Sequence, residues 1–240
     1  MPITVFQHDD LCRTGRLGAT LRDHGYEMEV LRLDRGDPVP PDYDNVECVI
    51  SLGGHQNVDE GHPWMEAERA YLAGAHERSL PVVCLCLGAE LLAQALGGTV
   101  EKMERKEVGL HDVTILPDGH TDTILTGIAW RCPQFQWHEY GISALPEGAT
   151  HLARSELCEH QAFRAGMRTY GFQYHFEADR EMIDAFVERS RSDLHAAGVT
   201  SEEFAKQLDA QYEMFARLAD RLCLNIATYL LPQAVRLASR

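Results

Sequence analysis

No stretch of this sequence reaches the roughly 18 consecutive apolar residues that a membrane-spanning helix requires. No signal-peptide pattern precedes Ile3. Cations are scarce: 22 Lys and Arg stand against 37 Asp and Glu, a formal net charge of −15. Nucleic acid and anionic membrane both need a cationic face, so neither is expected as a partner. Internal repeats and low-complexity segments are missing, and with 45% hydrophobic residues disorder is not expected. The seven cysteines are odd in number and sit mostly inside apolar runs, which suits reduced thiols rather than a disulfide framework. The expectation is a soluble cytoplasmic protein of 240 residues, one well-buried α/β domain with or without an appendage.

What is present is a series of short apolar runs separated by helical patterns. Ile3–Phe6, Val46–Leu52 and Val82–Leu85 read as buried parallel strands, with a weaker alternation over 27–33. Helices are predicted over 17–23, over 63–78 behind Pro63 at the first helical position, and over 89–96 before Gly97-Gly98. This order predicts an open, mostly parallel sheet covered by helices, flavodoxin-like, with ligands beyond the carboxyl ends of its strands. Short strand-like pieces at 108–116, 124–130, 151–153 and 162–164, broken by glycine turns, predict antiparallel additions. Tyr170–Glu177 reads as a strand meeting a helix. Thr200 and Glu203 form a capping-box signature, and helical pattern continues to about Leu231. Residues 1–190 are thus expected to form the main domain and 191–240 a helical extension packed on it.

One window carries chemistry. Val82–Leu85 runs through Cys86-Leu87-Gly88 into a helix, an elbow that holds a side chain clear of both elements. The free N–H groups of the first helical turn are expected to favour a thiolate at Cys86. The plainer interpretation is an ordinary strand–turn–helix with core cysteines. A cysteine nucleophile needs a base held by a third group. Among twelve histidines, His175 stands out because Glu177 follows two positions later.

Gly-Gly after a strand, Cys-Leu-Gly at an elbow, and Gly171-Phe-Gln-Tyr-His-Phe-Glu177 occur here in one order. In this the chain resembles the class I, triad-type glutamine amidotransferases, from Ile3 to about Glu177. The stand-alone group akin to the glutaminase domain of GMP synthase looks nearest. The resemblance implies Cys86 as nucleophile, His175 as general base and acid, and Glu177 as its orienter. It implies the backbone N–H groups of Gly54 and Leu87 as oxyanion donors, and no metal or other cofactor. It also implies a small γ-glutamyl substrate and either a separate ammonia-accepting synthetase subunit or hydrolysis of a γ-glutamyl compound alone.

Three positions depart from the family pattern. Cys84 replaces the first glycine of the elbow motif, where simple packing is the favoured explanation, and Phe176 replaces a proline. Glu90 stands where the family usually has glutamine; ionised, it repels a substrate carboxylate and accepts from an ammonium. Trp137-His138-Glu139-Tyr140 matches a loop that lines the glutamine pocket in relatives. His138 is an alternative base without a carboxylate at the expected step. Two other readings stand beside the hydrolase: a non-catalytic interaction or regulatory module on this fold, and a DJ-1/PfpI-like cysteine protein, which the late His-x-Glu motif opposes.

Overall fold

A computed structural model describes residues 2–231. In chain order its elements are β1 (Ile3–Gln7), α1 (Gly15–Asp23), β2 (Met28–Arg32), β3 (Cys48–Ser51), α2 (Pro63–Glu77), β4 (Val82–Leu85) and α3 (Leu87–Ala95). There follow β5 (Thr99–Ile115), α4 (Pro117–Thr121), β6 (Arg131–Ala144), β7 (Thr150–Arg154), β8 (Ala162–Ala165) and β9 (Thr169–Phe172). The chain ends in α5 (Arg180–Arg189), α6 (Arg191–Ala196), α7 (Ser201–Asn225) and a π-helical turn (Ile226–Leu230).

The strands make one sheet in the order β2-β1-β3-β4-β9-β8-β7-β5-β6. Its first five strands are parallel and the rest antiparallel. β1, β3, β4 and β9 are buried at every position, as parallel strands covered on both faces must be. On one face, Leu17 and Leu21 of α1, Ile183 and Phe186 of α5 and the Phe204, Leu208, Phe215 and Leu222 stripe of α7 join Leu110 and Phe135 in one core. On the other, Leu72 of α2 and Leu91 and Leu92 of α3 pack over Val49 and Val82. Arg16 fastens α1 to α7, donating to Asp220 at 2.9 Å and to the Tyr212 hydroxyl at 2.7 Å. The capping box is present, with the Glu203 N–H donating to Thr200 at 3.1 Å and the Thr200 N–H donating to Glu203 at 2.8 Å.

Several boundaries differ from the sequence-based expectation. Residues 124–130 are not a strand: the Asp122 carboxylate accepts from the Ile124 N–H at 3.1 Å and winds a 3-10 turn there. The Trp137–Tyr140 segment is not a loop but lies inside β6, paired along β5 with His138 opposite Glu107. Strand β9 stops at Phe172, and 173–179 is a turn segment before Asp179 caps α5 by accepting from Met182 at 2.8 Å. Of the predicted extension 191–240, residues 232–240 lie outside the described residues. No described helix is long and apolar enough to cross a membrane.

Candidate active site

The ends of β1, β3, β4 and β9 are neighbours at one edge of the sheet, and the side chains just past them converge. Cys86 sits between β4 and α3 at φ +49, ψ −113, a left-handed conformation that a side chain rarely adopts. It is held there by its own N–H, which donates to Phe172 O at 2.7 Å, and by its carbonyl, which accepts from the Glu90 N–H at 3.0 Å. Close approach fixes the next residue but one: a Cβ on Gly88 would lie 2.3 Å from Ser51 Oγ.

His175 is reached from β9 through the turn at 173–179, where its N–H donates to Phe135 O at 2.9 Å. Its Nδ1 lies 2.7 Å from Glu177 Oε1, and both side chains are buried. A Cβ on Gly53 would lie 2.6 Å from His175 Cε1 and 3.4 Å from Cys86 Cβ, so the ring and Cys86 flank one glycine, close enough to perturb each other through charge and hydrogen bonding. Burial works against an imidazolium at His175, but Glu177 and Cys86 outweigh it and hold its pKa well above the usual histidine value. For Cys86 burial is the larger influence and pushes the thiol up, while His175 and the Leu87 N–H pull it back. The expected net thiolate bias of the helix terminus is therefore overruled by desolvation.

The sulfur opens on a cavity of about 310 Å³ lined by Gly54, Leu87 and Glu90 on one side and by Trp137 to Tyr140 of β6 on the other. The Trp137 carbonyl oxygen faces the sulfur at 4.0 Å. Glu90 is buried, and Gln173 Nε2 donates to its Oε1 at 2.9 Å. Burial raises its pKa despite that hydrogen bond and the neighbouring His138 and His175. His138 does have a carboxylate partner, although not in sequence: its Nε2 lies 3.1 Å from Glu107 Oε2 across the ladder, and its Nδ1 lies 2.7 Å from Tyr140 O. With both nitrogens engaged, His138 is a wall residue. Glu139 is paired with Lys106 at 2.8 Å, and Lys106 also donates to Asp193 at 3.0 Å. The Tyr140 hydroxyl donates to Asp59 at 2.8 Å. Cys84 is fully buried among apolar neighbours. No group of three or more metal-ligating side chains occurs among the described residues.

Sequence reasoning gave no partner to Glu107 or Gln173, and it missed Asp193 as well as His8, Glu68 and Ser51, which form a second buried network behind the Gly53–Gly54 turn. Burial opposes charge on His8, yet Glu68 and the Gly53 carbonyl raise its pKa. His8 and His175 thus bind protons more tightly folded than unfolded, so their stabilisation is complete below about pH 6.5 and is lost as pH rises through their elevated folded values. The melting temperature is expected to fall as pH rises above about 6.5, with a shallower slope in Glu68→Gln; circular dichroism melts at stepped pH check this.

Residues 14–189 match the family model for glutamine amidotransferase class-I. A putative glutamine amidotransferase-like protein YfeJ of Salmonella typhimurium is 28% identical over 199 residues, covering 81% of this chain and 83% of its own. A subunit of the glutamine-hydrolyzing GMP synthase of Methanosarcina barkeri is 28% identical over 171 residues, covering 69% of this chain and 89% of its own. The crystal structure of a glutamine amido transferase from Methylobacillus flagellatus superposes with a TM-score of 0.87 at 27% identity, covering 96% of this chain and 95% of that one.

Proposed function

Because the chain belongs to the class I glutamine amidotransferase family, whose members generally hydrolyse glutamine, we propose that it cleaves a γ-glutamyl amide through a thioester on Cys86. What supports this is the buried His175–Glu177 pair at 2.7 Å, with His175 and Cys86 lining one cavity beside Gly54 and Leu87. His175 takes the thiol proton as the sulfur attacks the γ-carbonyl carbon, and the carbonyl oxygen becomes an oxyanion. The Gly54 and Leu87 N–H groups donate to that oxyanion, a contribution of about 3 kcal/mol per donor in comparable sites. His175 then protonates the departing nitrogen, and ammonia or an amine leaves. Water, deprotonated by His175, attacks the thioester and releases the γ-glutamyl acid with the thiol restored. Glu177 holds the ring and stabilises its charged form.

Incubating the protein with glutamine and a set of γ-glutamyl amides should release a γ-glutamyl acid together with ammonia or an amine, with a γ-glutamyl mass transiently on Cys86. No turnover of any of them, and no adduct, would overturn the reading. Ammonia release points to a separate acceptor synthetase, amine release to a hydrolase that acts alone. The naming of the Methanosarcina relative as one subunit of a synthase supports the first arrangement.

Glu90 sets the choice of substrate. Its carboxylate lines the cavity, and burial raises its pKa, so at lower pH it becomes a neutral stand-in for the glutamine usual in the family. Ionised, it opposes a substrate carboxylate. Glu90→Gln is expected to lower KM for free glutamine about tenfold at pH 8, the equivalent of one pKa unit of electrostatic cost. The effect is expected to shrink as pH is lowered, because the raised pKa of Glu90 favours its neutral form there. Initial rates across a descending pH series check this.

A further inference from the structure

His8, directly after β1, takes no part in the line of groups at Cys86. Its Nε2 lies 2.9 Å from Glu68 Oε2, and its Nδ1 lies 3.1 Å from the carbonyl oxygen of Gly53. Glu68 Oε1 accepts from Ser51 Oγ at 2.6 Å, and the His8 and Glu68 side chains are both fully buried. The imidazole stacks on Trp64 with ring centroids 4.8 Å apart, and Gln56 donates to the His8 carbonyl at 2.8 Å. A carbonyl oxygen can only accept, so Nδ1 carries a hydrogen and donates to Gly53. Glu68, already accepting from Ser51, takes the Nε2 hydrogen with its other oxygen.

The Gly53 carbonyl and the Gly54 N–H belong to one peptide unit. That unit is planar and trans, there being no cis peptide among the described residues, so its C=O and N–H point in opposite directions. Anchoring the oxygen on His8 therefore sets the direction of the N–H. Among the described residues that N–H has no acceptor, and Gly54 lines the cavity beside Cys86. Two consecutive glycines have little preference of their own for one peptide orientation. Side chains cannot supply it, because a Cβ at Gly53 would lie 2.6 Å from His175 Cε1 and one at Gly54 2.5 Å from Gln56 Oε1. The orientation must come from outside the turn. A flipped peptide would aim its carbonyl oxygen at the developing negative charge.

We propose that His8, backed by Glu68 and Ser51, is a positioning residue that locks the Gly53–Gly54 peptide with its N–H towards the oxyanion formed on attack by Cys86. This rests on the amide-hydrolase reading for the identity of the oxyanion.

The test compares two reactions of Cys86 in the full chain, each followed by mass spectrometry. Acylation by p-nitrophenyl acetate passes through a tetrahedral oxyanion; alkylation by iodoacetamide does not. His8→Phe keeps a flat ring against Trp64 and removes both donors. The ratio of acylation to alkylation is expected to fall about 10- to 100-fold, somewhat less than outright deletion of an oxyanion donor. With a turned-over γ-glutamyl amide, kcat falls while KM stays within about twofold. His8→Asn, whose amide nitrogen sits near the place of Nδ1, recovers most of the ratio. A packing role predicts the reverse order, Phe near wild type and Asn poor, with both reactions moving together; either result overturns the proposal. Should His8→Phe fail to fold, Ser51→Ala leaves the ring stack intact and is expected to lower the ratio about threefold, an unchanged ratio again overturning it. Wild-type Cys86 that accepts the ester but no γ-glutamyl amide removes the amide-hydrolase reading, and the ester ratio then still decides the role of His8.

Discussion

Cys86→Ala is expected to lower γ-glutamyl amide turnover about 10⁴- to 10⁶-fold with the fold intact, as removal of a nucleophile does in hydrolases that work through a covalent intermediate. The change deletes one sulfur bordering an open cavity rather than a methylene from the closed core, so the stability cost is about 1 kcal/mol or less. Alanine inherits the left-handed backbone at φ +49, and the hydrogen bonds from 86 to Phe172 and Glu90 are main-chain and survive. Cys12 lines the same cavity, and Cys84 lies two residues earlier, so each is the natural control. Burial raises both of those thiols well above the usual value, and no histidine offsets it as His175 does at Cys86. Cys84→Ala and Cys12→Ala should each stay within about threefold of wild type, as changes away from the reacting atoms do. Steady-state assay of ammonia or amine release, with circular dichroism for the fold, decides. Unchanged turnover in Cys86→Ala would show that the sulfur at 86 is not the nucleophile and would overturn the thioester reading.

Glu177→Gln is expected to cost about 10²- to 10⁴-fold in kcat, with KM little changed, by analogy with loss of the orienting carboxylate in serine hydrolases. The carboxylate lies 2.7 Å from His175 Nδ1, and its second oxygen is buried with no hydrogen-bond partner among the described residues. The amide is nearly isosteric, so the ring stays in place while its charged form loses its support. Because Glu177 is the largest influence raising the pKa of His175 against burial, its neutralisation lets that pKa fall. Cys86 and His175 titrate as a pair, so the working window of kcat/KM should move towards acid. Measuring kcat/KM from pH 5 to 10 in both proteins checks the direction. A window that stays in place, with activity intact, would leave Glu177 no role beyond packing.

What was legible in the sequence was local. Cys86 announced itself because strand, turn and helix occupy consecutive positions, and the Gln173-x-His175-x-Glu177 spacing because its members share one turn. The parallel half of the sheet could be read from short, fully apolar runs such as Val82–Leu85. Pairings across the ladder left no trace along the chain. Glu107 meets His138 because β5 and β6 lie in register, and His8 meets Glu68 because α2 crosses beyond the end of β1. The first half of β5 was equally opaque: its Glu101–Lys106 stretch is largely solvent-exposed and shows no apolar alternation. Trp130 misled in the other direction, since it is exposed and only ends the loop before β6. The net pKa of Cys86 turned on burial, which neighbouring residues in sequence do not report.

Strand β9 lies directly beside β4 in the sheet, although residues 86 and 172 are separated by four intervening strands along the chain. Cys86 and His175 thus follow strands of the parallel half, while another part of the cavity wall belongs to β6, at the far edge of the antiparallel half. The two halves meet where Phe135 O of β6 accepts from the His175 N–H at 2.9 Å, so the excursion between them can be lengthened or recoloured wherever that contact is kept. Chimeras that exchange residues 99–165 between relatives would carry the β6 wall across and leave Glu90 behind, which separates the two contributions to taste.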